Sequence, residues 1–569
     1  MFDNYLIRSD SLRNEEREGK TVGFSLAVRN ANYRGVFLSL HNGYYLEVDG
    51  VEYPTSVQTF EINGRPPRSF DEIRTAVWEH WDYDDEGILH VVAPGGLAPG
   101  VHTVRFQQSV LAAYGYQPAD DEWVRNPPRP GTGAGSDKTP RIVTYELTLN
   151  DQAAATSAHS RVRQQDSGPA RWTWDQITVA QVSHPQATPR GERSPEGIKL
   201  GVSLYSYQQS QFFKELDLEA QIREVGEHLP GADGIELIDE MSLHYPDPGV
   251  AFLQQWFGWM ERYGTVPVTM DVSMDVLQFR DHVMSIAECA ARLRHDIRLA
   301  QSLGFRNVRV LSTTPLEVML GALPVAEELD IRLGREVHQP MPLEGRQVTE
   351  IIDFVERTGT AHLGIVPDFG IFGTRPSEAL LQSFERRGAQ AAAGAAAVEL
   401  AALIQRGAAP FGAGDIAYHT AGNLRADFNR FLLTGDCEPE FAAAFNGVKR
   451  FTDERVAHAQ NLDYIVVAEA LMLSRTSPDT LRQIAGHVVS VHGKFNNMSP
   501  VPDKPGQFQD IAIDYEAGIA ALVQGGYNGY INSEYEGQRY YQDRRRADMM
   551  DEVEQVRRHQ EMLRRLTQL

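Results

Sequence analysis

Ile331-Arg332-Leu333-Gly334-Arg335-Glu336-Val337-His338 is a short run, too brief for a helix, that ends in groups able to do chemistry. Three later runs share the form. Ile365-Val366-Pro367-Asp368-Phe369-Gly370 ends in a carboxylate, Val489-Ser490-Val491-His492-Gly493-Lys494-Phe495 in an imidazole and a cation, and Ile531-Asn532-Ser533-Glu534-Tyr535-Glu536-Gly537 in two carboxylates. Four more strand candidates precede them: Lys199 to Tyr205, Gly234 to Ile238, Val266 to Val272 and Asn307 to Ser312. Amphipathic stretches such as Asp281 to Ser302 and Val348 to Arg357 lie between. Eight strands, most followed by a helix, predict an α/β fold, a (β/α)8 TIM barrel over 196–569.

The strand ends of a parallel barrel converge on one mouth. Glu336, Asp368 and Glu534 would repel one another there unless a cation neutralised them, and His492 completes a ligand shell. Three oxygens and one nitrogen suit a single divalent metal ion, Mn²⁺ foremost, with Mg²⁺, Co²⁺ or Zn²⁺ as alternatives. His338 stands two residues after Glu336, so strand alternation points it into the same mouth. Lys494 bears that relation to His492; it can hold a substrate oxygen or pair with Asp368 or Glu536. Glu536 bears it to Glu534 and is a candidate for a sugar hydroxyl. His244, after the second strand, is a candidate substrate contact. Phe369 is one of several aromatics near the mouth that could stack on a flat substrate.

The interval from Asp368 to His492 is several times longer than its neighbours. It holds helical sequence, Ala389 to Leu403 and Phe441 to Ser474, around a glycine-rich loop, Gly407 to Gly414. This predicts a helical insertion between strands six and seven, on the catalytic rim.

Residues 1–150 have another rhythm. Val22 to Val28, Tyr44 to Asp49, His102 to Phe106 and Arg141 to Leu149 alternate apolar and polar residues between turn signals such as Asp49-Gly50 and Asn63-Gly64. This predicts an all-β sandwich, with a Pro/Gly-rich loop at Pro127 to Gly135. Residues 151–195 turn rich in Ala, Ser, Gln and Pro and read as a linker, with Trp172 and Trp174 as anchors.

Lys and Arg number 54 against 77 Asp and Glu, a formal net charge of −23 in 569 residues. That balance disfavours nucleic acid and anionic membranes as partners. Arg544-Arg545-Arg546 is followed at once by Asp548, Asp551 and Glu552 and reads as a solvated face. Two cysteines form no disulfide framework. The N-terminus lacks the pattern of a signal peptide, and no run approaches the ~18 apolar residues of a membrane span. The expectation is a cytoplasmic protein.

Beyond these readings, the barrel half resembles the sugar phosphate isomerase/epimerase superfamily, the xylose-isomerase-like barrels. Glu336, Asp368, His492 and Glu534 match that superfamily's metal set. Glu336-Val337-His338, Pro367-Asp368-Phe369-Gly370, His492-Gly493-Lys494-Phe495 and Ser533-Glu534-Tyr535-Glu536-Gly537 look most like the α subunit of bacterial C-glycoside deglycosidases. Met1 to Tyr5, Val22-Gly23-Phe24, Tyr33-Arg34-Gly35 and Pro94 to Gly100 look like the small β subunit of the same enzymes, here fused to the α part. The resemblance implies a lyase that cleaves the carbon–carbon bond between sugar and aromatic aglycone in 3-oxo-C-glycosides, flavonoid C-glycosides among them. It also implies a separate sugar 3-oxidoreductase that supplies the substrate. His338 would be the base for the C2 proton, and a homo-oligomer is expected.

Two other readings use the same residues. A metal-dependent sugar isomerase or 3-epimerase would employ Glu336 and Glu534 as proton carriers. A non-catalytic carbohydrate-binding protein would need no metal set at all.

Overall fold

The structure, a computed structural model, describes residues 2–30, 32–111, 124, 127, 129–131, 141–149, 173–183, 197–408 and 424–567. Residues 153–155, Trp172, 185–195 and most of the loops expected at 127–135 and 407–414 lie outside them.

Eight parallel strands form the C-terminal part: Lys199–Ser203, Ala232–Ile238, Val266–Val272, Asn307–Val310, Arg332–Val337, Leu363–Pro367, Val491–Phe495 and Tyr530–Tyr535. They pair in the order six-five-four-three-two-one-eight-seven. Isolated parallel bridges, Ile365 to Val488 and Asp368 to His492, close the seam between strands six and seven. The expected barrel is therefore present, strand by strand. Helices such as Gly249–Tyr263, Ile286–Ser302 and Arg346–Thr358 ring it. Their caps are legible in the sequence. Ser285 and Glu288 form a reciprocal capping box, while Gly264 and Gly359 end helices at φ 65° and 73°.

The insertion between strands six and seven is helical, as expected. It runs through Glu378–Arg386, Ala391–Gln405, Leu424–Thr434, Ala442–Asp453 and Asn461–Ala468. Phe428, Phe431, Phe445, Phe451, Leu400 and Val467 give it a core of its own. Arg386 ties it to the loop after strand eight, with Nε 3.0 Å from Asp543 Oδ2.

Among the described residues, the N-terminal part has two antiparallel four-stranded sheets and a two-stranded pair, Val36–Phe37 with His80–Trp81. One pairs Arg13–Arg17, Lys20–Arg29, Glu86–Val92 and Gln58–Glu61; the other Val143–Thr148, Val101–Val110, His41–Val48 and Val51–Glu52. Phe60 of the first meets Tyr44 of the second at 6.1 Å between ring centroids, within a shared apolar core. Alternation explains the pattern. Along Val101–Val110, His102, Val104 and Phe106 are buried while Val101, Thr103 and Arg105 face solvent.

This β-domain docks on the rim after barrel strands one to three. Arg34 reaches Glu240 and Asp275, Ser39 Oγ donates to the Gln278 carbonyl at 2.7 Å, and Gln278 Nε2 donates to the Val77 carbonyl at 2.7 Å. Trp174 is buried between the two parts, against Phe37 and Trp78 on one side and Tyr245 and His295 on the other. Among the described residues, no helix is long and apolar enough to cross a membrane.

Candidate metal centre and active site

Strand alternation decides which side chains enter the barrel. In strand five, Arg335 turns outward, its guanidinium donating to the Thr314 carbonyl at 3.0 Å and to Glu350 at 2.6 Å. Glu336 therefore turns inward. In strand eight, Ser533 and Tyr535 pack outward, Ser533 Oγ lying 2.7 Å from His559 Nδ1, so Asn532, Glu534 and Glu536 face in. Strand seven presents His492 and Lys494 inward while Phe495 stacks on His559 at 4.1 Å.

Glu336, Asp368, His492 and Glu534 converge, each offering one ligand atom, and these atoms all lie within 4.8 Å of one another. All four are buried. His492 Nδ1 sits 3.2 Å from both Glu336 Oε1 and Glu534 Oε2. Neither contact is an aligned hydrogen bond, so His492 Nδ1 and Glu534 Oε2 are buried without a hydrogen-bond partner. Orphaned acceptors facing one point are costly unless a cation meets them. The donor set, three carboxylates and one imidazole, fits a divalent ion.

With no ion among them, these groups set one another's charge. Burial alone would raise the Glu336 carboxyl, but Arg309 and His492 hold it well below the usual range. Burial would depress His492, yet Glu534, Glu236 and Asp271 raise it well above an ordinary imidazole. Burial raises Asp368 despite Lys494 and His338 nearby.

Above the quartet sits a polar relay. Lys494 Nζ lies 2.5 Å from His338 Nε2 and 3.3 Å from Asp368 Oδ2, and it also pairs with Glu536. His338 Nδ1 lies 2.6 Å from the Gln339 carbonyl, to which only a protonated nitrogen can donate; this assigns the Nδ1–H tautomer and turns the Nε2 lone pair toward the mouth. Its side chain is 35% exposed, whereas the quartet is nearly sealed. Burial works against the Lys494 charge, but Asp368 and Glu536 keep it firmly protonated. Burial likewise opposes ionisation of Glu536, and Arg539 and Lys494 bring it down to about 2.

One expected substrate residue, Phe369, is placed elsewhere, and His244 stands on the side of the rim that meets the β-domain. Phe369 is wholly buried, packed on Phe372 at 5.4 Å and Tyr515 at 5.2 Å, with Gly518 against its ring. Strand six ends at Pro367, and Phe369 opens a 3-10 turn, Phe369–Phe372, capped by Asp368, which carries its ring into the packing beside Tyr515. It is not a substrate platform. His244 lies against the β-domain, its Nδ1 2.5 Å from Asp82 Oδ2, outside the quartet.

Sequence reading missed an inner layer. Glu236 and Asp271 stand on the far side of His492, their oxygens 3.3 and 3.7 Å from its Nε2. Arg309 lies 3.3 Å from Asp271 and 3.8 Å from Glu336, and Asn532 Nδ2 donates to Glu236 at 2.7 Å. Burial raises Asp271 to about 6, with Arg309 pulling against it. The signal was a charge inside an apolar strand: Ile235-Glu236-Leu237, Met270-Asp271-Val272, Val308-Arg309-Val310. Carboxylates behind a ligating imidazole fix its orientation and raise its basicity.

Fold and site together define an enzyme-type barrel with a metal-type centre and a histidine–lysine pair at its mouth. Comparison with known proteins gives the family. The profile described as "C-glycoside deglycosidase beta subunit" matches residues 2–114. The chain is 33% identical over 114 residues to the C-glycoside deglycosidase beta subunit of Eubacterium cellulosolvens, covering 20% of this chain and 77% of that one. It is 27% identical over 340 residues to the 3'-dehydrocarminate deglycosidase alpha subunit of a Microbacterium species, covering 60% and 88%. To the C-glycoside deglycosidase alpha subunit of Arthrobacter globiformis it is 26% identical over 376 residues, covering 65% and 92%. The chain belongs to the C-glycoside deglycosidase family and carries counterparts of its β and α subunits in one polypeptide.

Proposed function

We propose that this protein is a carbon–carbon lyase that releases the aromatic aglycone from 3-oxo-C-glycosides. The observation that carries the proposal is the position of His338. It stands on the strand of Glu336, Nε2 toward the mouth, with Lys494 beside it, in a chain that matches both deglycosidase subunits.

The sugar's C3 ketone makes its C2 proton acidic, and the aglycone leaves from C1, β to that ketone. Lys494 now donates to His338 Nε2; a sugar oxygen accepting from Nζ takes that donor and frees the lone pair for the C2 proton. The Lys494 ammonium then faces negative charge growing on the C3 oxygen. Electrons from the C2–H bond become the C1–C2 double bond as the C1–aryl bond breaks. A phenol ortho to that bond lets the aryl carbon accept a proton first, so no free aryl anion forms. The products are the aglycone and an unsaturated anhydro-ketose. Glu336, Asp368, His492 and Glu534 would hold the divalent ion, Mn²⁺ in this reading, which when bound supplies Lewis-acid polarisation of sugar oxygens. Glu536, held by Lys494 and Arg539, is placed to accept from a sugar hydroxyl. The ketone in the substrate requires a prior oxidation at C3, the work of a separate oxidoreductase.

Mass spectrometry of products from 3-oxo-C-glycosides with Mn²⁺ tests the reaction. Aglycone release is expected; uptake of solvent deuterium at C2 without release, read as a gain of one mass unit in the substrate, would replace the lyase by an enzyme that only moves that proton. His338→Ala is expected to lower turnover by ~10²–10⁴-fold while retaining the metal by elemental analysis. Full activity in that variant would remove His338 from the mechanism.

A further inference from the structure

The segment Tyr33-Arg34-Gly35 of the β-domain has no part in the chemistry above, yet it is fixed against the barrel mouth. Arg34 is fully buried between Glu240 and Asp275. Gly35 N–H donates to the Glu240 carbonyl at 2.8 Å, and a Cβ there would meet that carbonyl oxygen at 2.8 Å and His80 at 2.1 Å. Only a glycine permits so close an approach. Tyr33 is carried along. Its ring meets Tyr205, just past strand one, edge-on at 5.7 Å. Behind these rings lies an apolar patch separate from the main core, with Phe2 and Tyr83 from the β-domain and Ile238 and Met241 from the rim after strand two.

The patch borders the polar relay. Arg539 Nη2 donates to Tyr205 OH at 3.0 Å and also pairs with Glu536, which pairs with Lys494. A contiguous path thus runs from His338 through Lys494, Glu536, Arg539 and Tyr205 to Tyr33. The polar end suits a sugar; the end walled by two half-buried or buried tyrosines suits a flat aromatic ring. Arg539, its side chain 42% exposed, stands at the border, where a guanidinium can meet a phenolic oxygen.

We propose that Tyr33, with Tyr205, forms the wall on which the aglycone packs, so that the β-domain selects the aglycone. This rests on the lyase reading for its substrate, but not for its test. The full-length protein is compared as wild type, Tyr33→Phe and Tyr33→Ala. One arm measures binding of a dihydroxyflavone, which has aglycone chemistry and no sugar, by calorimetry. The other measures kcat and KM on 3-oxo-C-glucosides of a flavone and of a single-ring phenol. Tyr33→Phe should match wild type. Tyr33→Ala should weaken flavone binding, and raise KM for the flavone glucoside, by roughly fivefold, with the single-ring glucoside changed by less than about twofold. Unchanged flavone binding, or an equal loss on both glucosides, overturns the proposal. If the wild type releases neither aglycone, the lyase reading falls, and flavone binding alone decides the wall. Should Tyr33→Ala melt early, Tyr33→Leu, which keeps the bulk without the aromatic face, is read by the same criteria.

Discussion

Two clusters of buried carboxylates occupy the same rim of one barrel and are neutralised in opposite ways. After strands two and three, Asp239, Glu240, Asp275 and Asp296 surround two guanidiniums, Arg34 from the β-domain and Arg292 from the helix Ile286–Ser302. Arg292 also lies 5.0 Å over the Trp174 ring and 5.2 Å over Tyr245. After strands five to eight, the quartet has Arg309 to one side and Lys494 above, and leaves Glu534 Oε2 and His492 Nδ1 without hydrogen-bond partners; in the first cluster Asp239 Oδ2 and Asp296 Oδ2 lack them too, but around guanidiniums. The first cluster is filled by protein cations and joins two domains. The second keeps its donors pointed at a common centre. The same residue type thus makes an interface in one half and a set able to hold an ion in the other: two guanidiniums fill the first, whereas Arg309 reaches one member of the quartet, Glu336.

The largest effect should follow from breaking the second cluster. His492→Ala removes the nitrogen donor and leaves Glu236, Asp271, Glu336 and Glu534 facing one another. Loss of bound metal by elemental analysis and loss of detectable turnover are expected together. Metal retained at wild-type stoichiometry would place the ion elsewhere.

Next comes the first cluster. Arg34→Met keeps most of the side-chain volume but strands Glu240 and Asp275, both buried, without that cation. Breaking a buried pair from one side costs about 3–5 kcal/mol. Chemical denaturation should register a loss of that order, with metal affinity little changed, because the two clusters share none of these acids. A loss below about 1 kcal/mol would mean that water reaches the interface and screens the exposed pair.

Much of the second cluster was legible before the fold was seen, and little of the first. Glu336, Asp368, His492 and Glu534 each end a short strand, and consecutive parallel strands must bring their ends together. The rule is topological and needs no side-chain detail. Alternation also turns His338 and Lys494 to one side, where they meet at 2.5 Å, whereas Phe369 lies past the end of strand six in a 3-10 turn that the rule does not reach. Glu236, Asp271 and Arg309 went unread because a charge within a strand looks like a surface position until the strand is known to be enclosed. The Arg34 cluster draws on residues more than two hundred positions apart in two domains. No local period encodes such a contact. Trp174 is the exception: a tryptophan in a stretch of Ala, Ser, Gln and Pro has no local partners, which marked it as an anchor, although not that it touches both domains.

The smallest effect sharpens the comparison by asking how much charge the first cluster carries. Burial raises the Asp296 carboxyl from its ordinary value to about 7, with Arg292 pulling against the rise. An unfolded chain releases that proton near pH ~4. Between there and about 7 the folded protein therefore holds the extra proton, and its stability falls as pH rises. Above that window both states are ionised and this contribution stops changing. Asp296→Asn keeps an oxygen for Tyr245 OH, which now donates to Oδ1 at 2.8 Å, and has no proton to release. Any fixed cost of the amide beside Arg292 is the same at every pH, so the slope is the informative quantity. Denaturation at pH 5 and pH 7.5 should find the variant gaining on the wild type by roughly 2 kcal/mol across that interval. A constant difference would mean that Asp296 stays ionised throughout, and that Arg292 alone balances it as Arg34 balances Asp275.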